Sequence, residues 1–135
     1  MRKTQELINR LSVLNNGHEN LKQIFNHFQL SLLDINLDLF PVKGILIENV
    51  SKTKSYINFL DSRYDVSFTT CGIGDELYGE IAISRIYSDH ESKVLSSVIF
   101  DTESVIRDNT EYLALNNNSD CIRLALTWLN DEIFS

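Results

Sequence analysis

The chain contains little of what fixes a chemistry or a covalent framework. Of its 135 residues, one is proline, two are cysteine and five are glycine. Cys71 and Cys121 are far apart in the sequence, which argues for reduced thiols buried as small hydrophobic side chains. The patterns H-E-x-x-H, C-x-x-C and D-x-D, which mark many metal sites, do not occur. We therefore expect no disulfide, no metal site and no cofactor.

Long apolar segments are also missing. No run approaches the roughly 18 apolar residues that read as a transmembrane helix, so we expect no membrane contact. The amino terminus, MRKTQELINR, is charged and amphipathic rather than an apolar signal segment, and a cytoplasmic location is the default expectation. A hydrophobic content of 43% and a charged content of 23% are ordinary for a globular chain. The length predicts one domain that spans residues 1–135.

Positive charge is scarce and unevenly placed. The net charge is −7, and residues 71–135 contain four basic and twelve acidic residues, hence a net charge of −8. Residues 1–30 contain four basic and two acidic residues, a net charge of +2. A negative field repels phosphates and attracts basic partners, and no basic stripe is interleaved with aromatic residues. The expected partner is therefore a basic protein and not a nucleic acid.

Residues 66–101 read as three strands separated by two turns, and they form the centre of the expected fold. Gly74 and Asp75 suit a two-residue hairpin loop because apolar and polar residues alternate on both sides. A polar turn at residues 88–92 leads into the third strand, where Val94, Val98 and Phe100 are expected on the apolar face and Leu95 on the other. The first loop predicts a register with four pairs: Ile73 with Glu76, Cys71 with Tyr78, Phe68 with Ile81, and Val66 with Ile83.

Helical patterns flank this meander. An apolar stripe predicts a helix that ends at Asn15, Asn16 and Gly17, and a second helix that begins near His18 and persists into the thirties. Residues 45–50 read as a strand, residues 51–61 as a short helix, and residues 104–115 as containing a last strand. A final helix capped by Asn118 or Ser119 is expected to bury Ile122, Ala125, Leu126, Leu129 and Ile133. The predicted class is α+β: an N-terminal helical hairpin and a C-terminal helix packed on an antiparallel β-meander of about four to five strands.

Catalytic groupings are weak throughout the sequence. Cys71 and His90 suggest a nucleophile and a base, but the register places them at opposite ends of the middle strand, too far apart for a dyad. His18 and His27 fall on opposite sides of one helix and cannot share a metal ion. Most carboxylate pairs lie in predicted turns, where they stay solvated. Glu80 is the exception, because it lies within a strand on the less apolar face.

A small acidic domain without a catalytic motif is similar in kind to protein inhibitors of basic toxins or nucleases, such as bacterial immunity proteins. An acidic surface steers a cationic partner toward it and complements the partner's charge. The hypothesis is direct inhibition of a basic toxin or nuclease domain, and the end of the sheet at the first turn is the favoured contact. The candidate partner-binding residues are Asp75, Glu76, Tyr78, Glu80, Asp89 and Glu91.

Two alternatives stay open at this point. The chain could be a small enzyme with a pocket on the open sheet face, lined by Cys71, Tyr78 and Glu80. It could also be a structural or chaperone adaptor that acts through its N-terminal helices. The sequence favours no particular oligomeric state.

Overall fold

A computed structural model describes residues 2–88, 90–107 and 111–134. In these residues, six strands form one antiparallel sheet in sequence order, β1 to β6. A long helix packs on the sheet, and a C-terminal helix packs against the long helix. The α+β class and the antiparallel meander are confirmed, and the sheet has more strands than predicted. The elements are α1 (Arg2–Leu32), a 3-10 helix (Leu33–Asn36), β1 (Leu46–Ser51), β2 (Lys54–Phe59), β3 (Ser62–Ile73), β4 (Glu76–Ser88), β5 (Glu91–Phe100), β6 (Ile106–Arg107) and α2 (Asn118–Phe134).

The N-terminal region is one continuous helix, so the predicted helical hairpin is wrong. α1 passes through Asn15, Asn16 and Gly17 without a break and ends at Leu32, as expected for its second half. A Cβ atom on Gly17 would lie 2.9 Å from Leu77 Cδ2 of β4. Gly17 therefore lets the helix approach the sheet closely, and it does not reverse the chain.

Residues 54–59 form strand β2, so the predicted helix at 51–61 is wrong. Ser55 and Ile57 are buried on one face of this strand, while their neighbours are partly exposed. The turn into β3 places Leu60 and Asp61 at positive φ, 51° and 61°, as the favoured two-residue hairpin turns require. The Leu-Asp pair lacks the glycine of the Asn-Gly and Asp-Gly pairs by which such turns are recognised in a sequence.

The register of β3 against β4 is confirmed at all four predicted pairs. Phe68 faces Ile81, and both are buried together with Val66 and Ile83. The buried face of α1 covers this surface of the sheet, and the ring of Phe25 stacks on Phe68 with centroids 5.4 Å apart. The largest buried side chains from α1 are Leu21, Phe25, Phe28 and Leu32.

A β-bulge changes which side chains of β5 face the core. Ile83 pairs with Ser96, and the next residue, Ser84, pairs with Val94, so Leu95 is the extra residue. Val94 is consequently 65% exposed, against expectation, and Leu95 packs partly against the core. Val98 packs against the core and Phe100 is fully buried, as predicted.

The C-terminal helix is rotated relative to the predicted stripe. Ile122 and Leu126 are half-buried and Ile133 is 41% exposed, whereas Ala125 and Leu129 are buried as predicted. The rotation brings the Trp128 ring edge-on to Phe28 of α1, with centroids 6.5 Å apart. The residues that α2 buries are Cys121, Leu124, Ala125, Trp128 and Leu129. Across the described ranges, neither helix has a stretch that is both long and apolar enough to cross a bilayer.

Candidate functional site

Acidic residues from two distant segments meet at one end of the sheet. Gly79 of β4 pairs with Phe100 of β5, so the residues that follow β5 lie beside the turn between β3 and β4. That turn carries Asp75 and Glu76, and the segment after β5 carries further carboxylates. We call this region the acidic end and define it by Asp75, Glu76, Tyr78, Asp101 and Glu103.

Tyr78 is held in place by Glu76 of the same strand. Its phenolic oxygen donates a hydrogen bond of 2.5 Å to Glu76 Oε2. This bond, followed by partial burial and the negative charge of Glu76, raises the pKa of Tyr78 above its ordinary value. The half-buried ring is therefore presented as a neutral, oriented phenol.

Asp101 organises the loop that follows β5. Its Oδ1 accepts hydrogen bonds from the backbone N–H groups of Glu103, at 2.9 Å, and Val105, at 3.0 Å. Its Oδ2 lies 3.6 Å from Arg107 Nη1. Because these contacts use its carboxylate within the loop, Asp101 is mainly a positioning group. Glu103 is exposed and extends the negative charge across the end of the sheet.

Two neighbouring concavities border the acidic end, and they share Glu76 and Leu77. The first, which we call the acidic groove, has a volume of about 470 Å³. The second, which we call the α1 cleft, has a volume of about 730 Å³ and lies between α1 and the turn from β3 to β4. The acidic groove is lined by Glu76, Leu77, Tyr78, Asp101, Thr102 and Glu103. The α1 cleft is lined by Arg10, Val13, Leu14, Gly17, Gly72, Gly74, Asp75, Glu76 and Leu77.

The contribution of α1 to this surface was missed from the sequence. A helical hairpin would have folded Leu14 and its neighbours back onto the second helix. In the single helix they run beside the turn between β3 and β4, at one end of the sheet, and form one wall of the α1 cleft. The available signal was the apolar spacing of Leu7, Leu11 and Leu14, which stays in phase with the buried stripe beyond Gly17.

The structure brings some of the predicted partner-binding residues together and separates others. Asp75, Glu76 and Tyr78 lie at the acidic end, and Glu80 follows Tyr78 on the same face of β4. Glu91 pairs with Ser88 at the opposite end of β4. Asp89 lies outside the described residues. The expectation that the two meander turns are at opposite ends is therefore confirmed for the residues described.

The residues that suggested catalysis are arranged unfavourably for it. Cys71 pairs with Tyr78 near the first turn, while His90 lies in the turn at the far end of β4. Desolvation, followed by the charge of Glu80, raises the pKa of the Cys71 thiol, so its reactive thiolate is disfavoured. His18 packs 5.8 Å from Phe68, ring to ring, and its Nδ1 is 2.6 Å from Thr70 Oγ1.

Among the residues with described positions, no three His, Cys, Asp or Glu side chains are arranged to hold a metal ion. No family model, no curated protein and no solved structure matches this chain. The features of the described chain that bear on function are the surface chemistry of the acidic end and the exposed part of α1.

Proposed function

We propose that this protein is an inhibitor that binds a basic protein directly, in the manner of bacterial immunity proteins that neutralise toxins or nucleases. The proposed contact surface is the acidic groove with its rim. Asp75, Glu76 and Glu103 supply negative charge around the groove, and such a surface accelerates encounter with a cationic partner. Tyr78 supplies an oriented aromatic side chain of the kind that anchors many interfaces.

The observation that carries this proposal is the pairing of Gly79 with Phe100. It adds the acidic segment after β5 to the acidic turn after β3, and so concentrates charge that the sequence spreads over a long stretch. Glu91, at the opposite end of β4, lines neither the acidic groove nor the α1 cleft. The acidic end is therefore favoured over the turn between β4 and β5.

The enzyme alternative has less support from the same region. A nucleophilic cysteine needs a lowered pKa, whereas the pKa of Cys71 is raised. The groove beside it presents exposed carboxylates and a phenol hydrogen-bonded to one of them. This arrangement suits the binding of cationic side chains more than the activation of a nucleophile.

The proposal can be tested with cationic toxin and nuclease domains encoded next to this chain in its source genome. Association and dissociation rates with each purified domain should be measured at several salt concentrations. Asp75→Lys with Glu76→Lys, and separately Glu103→Lys, should slow association by about tenfold and flatten its salt dependence. Thermal unfolding should change little, because these charges are exposed.

A matched control reverses two exposed carboxylates outside the acidic end. Asp34→Lys with Glu91→Lys changes the net charge by the same amount as the turn variant and should leave the association rate close to that of the natural protein. Equal slowing of association in the two double variants would mean that only the net charge matters. It would refute the assignment of the acidic end as the contact surface. The inhibitor proposal itself fails if none of the cationic domains binds, or if bound domains keep their activity.

A further inference from the structure

The N-terminal half of α1 carries an apolar face that the described chain leaves uncovered. Every residue from 2 to 16 is exposed, including Leu7 at 58%, Leu11 at 63% and Leu14 at 41%. These three follow the i, i+4, i+7 spacing of one helical face, and that face continues into buried Leu21 and Phe25. The stripe that forms the core thus continues along an exposed helical segment, residues 2–16, that is about 22 Å long at ~1.5 Å per residue.

Such a segment needs a partner for two physical reasons. A contiguous exposed apolar face on a helix is typical of an interaction surface. In addition, an isolated helical segment of this length is marginal in water, and Asn15, Asn16 and Gly17 lower its helix propensity further. Packing on the apolar stripe would supply the missing stabilisation.

We propose that a second copy of this chain covers the stripe, with the N-terminal halves of two α1 helices packed antiparallel. In a pair with its two-fold axis near Leu11, Leu7 of one copy is level with Leu14 of the other. Leu14 and Leu77 line the α1 cleft, so Leu7 of the second copy is positioned to enter it. By symmetry the same contact forms twice.

Charge complementarity favours a second copy in this orientation. The first residues of α1 include Arg2 and Lys3, and in the antiparallel pair they reach the level of Gly17 in the other copy. Gly17 lies against Leu77, beside the turn that carries Asp75 and Glu76. Each copy therefore brings two cations to the acidic turn of the other. A parallel pair would instead place the two Lys3 side chains together and leave the acidic turns unmatched.

The dimer goes beyond the proposed inhibitor function, and the two share Asp75 and Glu76 at the acidic turn. It is tested with the purified chain alone, and its contacts lie on the α1 side of the acidic turn. Glu103 lines the acidic groove but not the α1 cleft. The Glu103→Lys variant therefore probes binding of a basic partner without changing the dimer contact, so the two proposals can fail separately.

Sedimentation velocity and light scattering over a wide range of protein concentration should show a concentration-dependent dimer. Leu7→Glu with Leu11→Glu should give a monomer at all concentrations. Its core should remain folded, because both side chains are exposed, and the fluorescence of buried Trp128 reports this directly. The control Ser12→Glu with Asn16→Glu adds the same charge to the opposite side of α1 and should leave the dimer intact.

A charge exchange tests the orientation. Lys3→Glu and Asp75→Lys should each weaken dimerisation by several-fold, and the double variant should restore it, because the pair is re-formed with reversed signs. A natural protein that stays monomeric at every concentration would overturn the proposal, as would a dimer unaffected by Leu7→Glu with Leu11→Glu. Stronger dimerisation of Lys3→Glu, or no restoration in the double variant, would overturn the antiparallel arrangement.

Discussion

Gly17 of α1 lies so close to Leu77 of β4 that a Cβ atom on the glycine would be 2.9 Å from Leu77 Cδ2. This contact marks the point where the helix leaves the sheet. Residues before it are exposed, and the buried stripe begins at Leu21. The same two residues line the α1 cleft. Their close approach therefore fixes the direction of the exposed N-terminal half of α1 and also forms part of a candidate binding surface.

The Gly17–Leu77 contact predicts a coupled effect on stability. Gly17→Ala should gain about 1 kcal/mol of helix propensity but push against Leu77, so its net effect should stay within about 1 kcal/mol. In the Leu77→Ala background the obstruction is gone, and Gly17→Ala should stabilise by about 1 kcal/mol. Urea unfolding of the four proteins measures this coupling. A loss of stability in the Leu77→Ala background would contradict a helical Gly17.

Gly79 should tolerate substitution far less well than Gly72. A Cβ atom on Gly79 would overlap the buried ring of Phe100, whereas at Gly72 the nearest atom would be 4.0 Å away. Gly79→Ala should lower the free energy of unfolding by about 1–3 kcal/mol through overpacking, and Gly72→Ala should have little effect. Adding Phe100→Leu to Gly79→Ala should recover part of the loss. Equal effects at the two glycines would disprove this packing arrangement.

A buried amide connects α1 to the hairpin of β1 and β2. Gln29 is 4% exposed, and its Nε2 donates to the carbonyl of Ser51 at 2.8 Å and to Ser55 Oγ at 2.9 Å. Gln29→Leu would leave these acceptors without a donor and should cost about 2–3 kcal/mol in chemical unfolding. Gln23→Leu, on an exposed position of the same helix, is the control and should be nearly neutral. A small loss at Gln29 would mean that water replaces the amide.

Alkaline pH should destabilise the protein through Cys121. Burial raises the pKa of this thiol from 9.0 to about 11, so the folded state keeps the proton that the unfolded state loses first. The neutral, buried thiol therefore contributes about 2–3 kcal/mol to the free energy of unfolding. This contribution is fully present below about pH 9 and is lost as the pH rises to about 11. Under reducing conditions, unfolding free energies across this range should fall less steeply in Cys121→Ala than in Cys71→Ala. Identical slopes would contradict the burial of the Cys121 thiol.

Local patterns determined the centre of the fold. Gly74 and Asp75, with alternating apolar residues on both sides, were sufficient to predict the pairing of Phe68 with Ile81. A strand has a period of two, and a slip by one residue would turn every apolar side chain toward water. Similarly local signals predicted the start of the final helix near Asn118, although Asn117, rather than Asn118 or Ser119, accepts the capping hydrogen bond from Asp120 N–H at 3.1 Å. The concentration of negative charge after residue 70 is likewise a property of the sequence alone.

Contacts between distant segments decided the rest. The local sequence Asn-Asn-Gly does not distinguish a helix end from a helical segment that packs closely on a strand. The contact with Leu77, which is distant in the sequence, decides that Gly17 packs against β4. The extra residue, Leu95, places Val94 on the exposed face of β5. The pairing of Gly79 with Phe100 brings Glu103 close to the acidic turn. The sequence predicts which residues share a face because neighbours in the chain set that pattern. Where a helix leaves the sheet, and which charges meet there, depends on residues far apart in the chain.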